Sequence, residues 1–92
     1  MSTQKSIDAL NAAELAVLER GNRLVGAKQI RKAVSAGSAQ QVFLAQNADP
    51  AITEPIEKLC LEHSVRCLCV SSMKELGRAC GIDVGAAAAA VV

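Results

Sequence analysis

Tryptophan and tyrosine are absent from this 92-residue chain, and Phe43 is its one aromatic residue. RNA-recognition-motif sheets and OB-fold grooves stack bases on several aromatic faces, which this chain cannot supply. Aromatic cages for sugars or methylated lysines are excluded on the same ground. No apolar run approaches the roughly 18–20 residues that would span a bilayer. Asp8, Glu14 and Glu19 interrupt the N-terminal stretch, so it does not read as a secretion signal. These absences place the protein in the cytoplasm, where Cys60, Cys67, Cys69 and Cys80 are expected as reduced thiols rather than a disulfide framework.

What the chain does have is small apolar residues. Apolar residues of all sizes make up 51% of it, and 17 of them are alanine. That supports one modest core of Leu, Ile, Val and Ala, hence a single domain over 1–92. The net charge of +1 conceals an uneven distribution. Residues 20–37 carry Arg20, Arg23, Lys28, Arg31 and Lys32 with no carboxylate, half of the chain's basic residues. Such clustering is an electrostatic footprint for an anion, although a solvated helix face can look the same.

Spacing along the chain alternates helix and strand. Ile7, Leu10, Ala13, Val17 and Leu18 predict an N-terminal helix ending at Gly21. A short strand at 23–25 follows, then a helix from Gly26 to Gly37 with Ile30, Ala33 and Val34 inward. Residues 41–46 read as a strand and Asn47-Ala48-Asp49-Pro50 as a turn. The next helix is placed from Thr53, because a start at Pro50 would put Pro55 in its interior. Val65–Val70 alternates as a strand, and Ser72-Met73-Lys74-Glu75 is a capping box. Alanine propensity favours a helix over 86–92, but the segment is short and the alternation calls for a closing strand. Eight elements in this order predict a layered α/β sandwich around a small four-stranded sheet.

The start of the helix at Gly26 breaks a local rule. A helix N-terminus exposes unpaired N–H groups and partial positive charge, so acids are favoured there. Here Gly26 and Ala27 lead into Lys28, Arg31 and Lys32 on one face, with no Ser, Thr, Asp or Glu to cap them. A phosphate backbone would take up the N–H groups and the cations together. Gln29 adds a side chain able to both donate to and accept from a base edge.

The stretches Gly26-Ala27-Lys28-Gln29-Ile30-Arg31-Lys32, Asn47-Ala48-Asp49-Pro50 and Met73 to Ala86, with its Leu-Gly-x-Ala-x-Gly-Ile-x-Val block, resemble the L-seven-Ae superfamily of ribosomal proteins. Within it the likeness is to the small bacterial kink-turn-binding members of the YbxF type, and it spans about residues 22–92. The resemblance implies a three-layer α/β/α sandwich around a four-stranded mixed sheet. It implies a monomeric, noncatalytic protein that binds kink-turn RNA, a duplex sharply bent beside tandem sheared G·A pairs, in ribosomal RNA or a riboswitch-like element. The helix after Gly26 would enter the widened groove. Archaeal relatives carry Asn-Glu where this chain has Lys28-Gln29, so their base-by-base contacts do not transfer.

The resemblance also brings in Gly81-Ile82-Asp83-Val84-Gly85. Two β-branched residues in a short loop can tuck into the core, and Ile82 fits that reading. Val84 is better placed to point outward. In the family this loop packs on the kink and its extruded nucleotide, which implicates Ile82, Val84 and Gly85, whose missing side chain would allow close backbone approach. Two further readings are weighed against free RNA binding. One is a structural component of the large ribosomal subunit. The other is a thiol- or zinc-dependent regulatory domain built on Cys60, His63, Cys67 and Cys69, but their spacing lacks paired Cys-x-x-Cys knuckles and suits core packing. No nucleophile, base and oxyanion site can be assembled, so no enzymatic activity and no cofactor or metal are expected.

Overall fold

The computed structural model describes residues 22–92 of the chain. The expected helix over 7–20 lies outside that range. The described elements alternate as β1 (Arg23–Leu24), α1 (Ala27–Ser35), β2 (Gln41–Ala45), α2 (Pro50–Glu62), β3 (Arg66–Val70), α3 (Met73–Ala79) and β4 (Ala88–Val91).

The four strands form one sheet in the order β1-β4-β2-β3. β4 runs antiparallel to both β1 and β2, with Leu24 opposite Ala90 and Val42 also opposite Ala90, while β2 and β3 are parallel. The sheet is therefore mixed, as expected. Strand alternation divides the core in two. Phe43, Leu68, Val70, Ala89 and Val91 face α3, where Leu76, Ala79 and Cys80 cover them. Val42, Leu44, Ala88 and Ala90 face α1 and α2, meeting Ile30, Val34, Ile56 and Cys60. Three layers follow from the two-residue period of the strands.

Two local expectations need correction. First, α2 begins at Pro50 rather than Thr53, so Pro55 does lie inside it. Asp49 caps it by accepting from Ala51 N–H at 3.0 Å, and Pro50 at the first helical position gives up an N–H that has no intrahelical partner anyway. Pro55 removes the bond to the Ala51 carbonyl, but Ala51 is exposed and water can replace it. Second, Cys69 is exposed rather than packed; it lies on β3, an edge strand of the sheet. The alanine-rich terminus is a strand, all four of its residues buried. Its register between two neighbours outweighs alanine's preference for helix.

The register also fixes where the helices start. β1, β2 and β3 all point the same way, and each leads into a helix, so the N-termini of α1, α2 and α3 gather at one rim of the sheet. Ala45 N–H donates to Ala87 carbonyl at 2.9 Å, which brings the segment entering β4 to that rim as well.

Candidate nucleic-acid interface

The helix rule-breaking at Gly26 survives folding. Gly26 is the N-cap of α1, no side chain caps it and the first turn holds no acid. Its carbonyl accepts from Ile30 N–H at 2.9 Å, but the N–H groups of the first turn point out of the helix end. Its backbone is extended, φ −75°, which any residue can adopt. A side chain there would meet little, the nearest atom being Gln29 Oε1 at 3.9 Å from the position of a Cβ. Nothing among the described residues requires glycine at this point; Gly26 itself is exposed. Lys28, Gln29, Arg31 and Lys32 are all exposed, and Ala27 is half-buried under the first turn. Lys28, Arg31 and Lys32, with Ser35 and Ala36, line an open shallow depression along the outer side of α1.

The loop Gly81–Gly85 runs back along α3. Ile82 N–H donates to Gly77 carbonyl and Ala86 N–H to Met73 carbonyl, both at 3.0 Å. Gly77 lies so flush against the Val84 carbonyl that a Cβ on it would collide with that oxygen. A Cβ on Gly85 would stand 3.0 Å from Met73 Cβ and 3.3 Å from the Met73 carbonyl. Close packing on α3 thus already favours glycine at 85, before any outside partner is considered. Ile82 is half-buried against the α3-side core, as the sequence suggests, and Val25 joins the same cluster just before Gly26. Val84 does the opposite: it is 69% exposed. The two segments therefore flank one apolar cluster, one presenting cations and bare N–H groups, the other a valine side chain.

Two side-chain contacts tie the elements around these segments to one another. Asn47 Oδ1 accepts from Met73 N–H at 2.8 Å, joining the turn before α2 to the start of α3. Arg23 Nε donates to the Cys80 carbonyl at 3.0 Å, joining β1 to the end of α3. Ser72 caps α3 as expected, accepting from Glu75 N–H at 3.1 Å; the Glu75 carboxylate accepts from the Ser71 hydroxyl.

The thiols lie away from the rim. The Cys67 thiol donates to Cys60, which lowers the Cys60 pKa, while that bond and burial push Cys67 upward. Burial raises Cys80, opposed in part by the Arg23 charge, and partial desolvation with the Glu57 charge raises the otherwise exposed Cys69. His63 is exposed at the end of α2. Among the described residues no three His, Cys, Asp or Glu side chains are placed to hold a metal ion.

Comparison with known proteins places this geometry. The model of the "Ribosomal protein L7Ae/L30e/S12e/Gadd45 family" matches residues 8–92. The chain belongs to that family. Within the L7Ae family it is of the YbxF type: it is 42% identical over 76 residues to "RNA-binding protein YbxF" of Geobacillus stearothermophilus, covering 83% of this chain and 93% of that one. A Bacillus pumilus "RNA-binding protein" is 48% identical over 69 residues, 75% of this chain and 84% of its own. Among solved structures, the "Giardia lamblia 15.5kD RNA binding protein" superposes with a TM-score of 0.79 at 29% identity, over 84% of this chain and 68% of its own. These L7Ae relatives share the α/β fold described above.

Proposed function

We propose that this L7Ae-family chain is a noncatalytic RNA-binding protein that recognises the kink-turn. The observation that carries the reading is the uncapped start of α1, where bare N–H groups and an outward-facing glycine adjoin exposed Lys28, Arg31 and Lys32. Phosphates satisfy the N–H groups and the cations at once, and Gln29 reaches from the same turn toward a base edge. Val84, across the apolar cluster, supplies an uncharged contact for a base or sugar that a kink extrudes. Straight A-form duplex offers side chains little to read in its deep, narrow groove, whereas a bend exposes both edges and phosphates. The names of the relatives support RNA as partner, and the protein acts in the cytoplasm as a monomer.

Titration against a kink-turn RNA and a straight duplex of the same composition tests this. The kinked RNA should bind much more tightly at physiological salt, since a net charge of +1 gives weak nonspecific attraction. Equal affinity for the two would reduce the rim to a generic basic patch. The family match favours, as a second reading, a structural place in the large ribosomal subunit; retention on large-subunit particles through a high-salt wash distinguishes it.

A further inference from the structure

The two proposed contact segments belong to different parts of the chain, and a ligand can engage both only if their separation is fixed. Gly26 and α1 hang from β1, which has two residues and, among the described strands, pairs with β4 alone. The Gly81–Gly85 loop hangs from the C-terminal end of α3. Beside the apolar cluster that both flank, one polar side chain links their roots. Arg23 stands three residues before Gly26, and its Nε donates to the Cys80 carbonyl, 57 residues away in sequence. Cys80 is the C-cap of α3. Its carbonyl is one of those a helix end leaves without an intrahelical partner, at the negative end of the helix dipole, where a guanidinium is well matched. The contact continues onto the loop itself: a Cβ built on Gly81 would lie 3.5 Å from Arg23 Nη2. Gly81 has φ +78°, the left-handed turn at which the chain leaves the helix and doubles back. The guanidinium therefore sits on the root of the loop.

We propose that Arg23 is a positioning residue for RNA binding, whose guanidinium fixes the root of the Val84 loop relative to the strand leading into α1, so that both segments meet the RNA as one rigid surface. This rests on the functional reading above. It differs from a phosphate contact, in which Arg23 would act by its charge, and from general stabilisation, in which its loss would loosen the whole fold.

Arg23→Met keeps the aliphatic stem and removes the donors. Its affinity for kinked RNA should fall about fivefold, the net worth of one hydrogen bond, with the salt dependence unchanged. In a Val84→Ala background the same change should cost less than about twofold, because a loop without its contact group gains little from being held. In the free protein, hydrogen exchange at Gly81, Ile82 and Ala86 should quicken while Val42–Leu44 keep their protection. A salt slope reduced by about one charge, full additivity with Val84→Ala, or exchange quickened evenly through sheet and loop overturns the inference. A wild-type protein that does not prefer kinked RNA overturns the functional reading instead, and the exchange measurement, which needs no RNA, still decides whether Arg23 holds the loop.

Discussion

Lys28, Lys32 and Val84 contact the proposed ligand by different physics, and that separates their variants. Lys28→Ala and Lys32→Ala should each weaken RNA binding and flatten its salt dependence by roughly one released counterion. Thermal unfolding should be nearly unchanged, because both side chains are exposed. If neither variant loses affinity, the interface lies off α1. Val84→Ala gives the complementary pattern. A buried valine would cost about 1–2.5 kcal/mol on truncation, but at 69% exposure the loss should stay below about 0.5 kcal/mol. RNA affinity should fall severalfold at low and high salt alike, since no counterion is involved. Paired melts and titrations at two salt concentrations check both. The cationic residues were legible in the sequence because they violate a rule local to one helix turn. The bonds that Arg23 and Asn47 make were not: the sequence marks one as part of a basic cluster and the other as a turn residue, but their partners lie 57 and 26 residues away.

At the scale of the element, α3 and its returning loop behave as one unit joined at Gly77. Gly77→Ala would drive a methyl group into the Val84 carbonyl, a backbone atom that cannot rotate aside. Such overpacking costs typically about 1–3 kcal/mol, despite the helix propensity gained. A lowered urea midpoint, together with weakened RNA binding from a displaced Val84, is the expected outcome. An unchanged midpoint would mean that the loop is free to move. The start of α2 shows why element boundaries were harder to read than elements. Pro50 and Pro55 cannot both be comfortable, and sequence alone weighed the interior proline as prohibitive. The fold keeps both, because the orphaned Ala51 carbonyl is in water and the Asp49 cap anchors the first turn. For β4, five consecutive alanines say helix locally, and only the positions of β1 and β2 on either side decide for strand.

For the molecule as a whole, the thiols set a limit on alkaline stability. Cys67, Cys69 and Cys80 have pKa values raised above the ordinary 9.0, through hydrogen bonding and burial for Cys67, burial for Cys80, and partial desolvation with the Glu57 charge for the exposed Cys69. The unfolded chain loses these protons first as pH rises, so the stability they confer is present below about pH 9 and declines above it. Cys60, lowered as the acceptor from Cys67, offsets part of this. Urea midpoints should be lower at pH 10 than at pH 7.5, and Cys80→Ala should narrow the difference. No narrowing would remove Cys80 from the account.

The layer arrangement was readable from the helix–strand rhythm, but the strand order was not, and the order has a consequence of its own. β4 is wedged between β1 and β2, and among the described strands β1 touches no other. During synthesis, then, the helix bearing Gly26 and Lys28 emerges well before β4, the strand its leading strand pairs with. The parallel β2–β3 pair can close first, while β1 must wait for residues as late as Val91, its partner across the ladder at Arg23. Loop-closure entropy makes that pairing the slowest to form. An unfinished chain therefore carries the basic residues of the interface without the frame that aims them, and competence to grip a ligand arrives together with completion of the sheet.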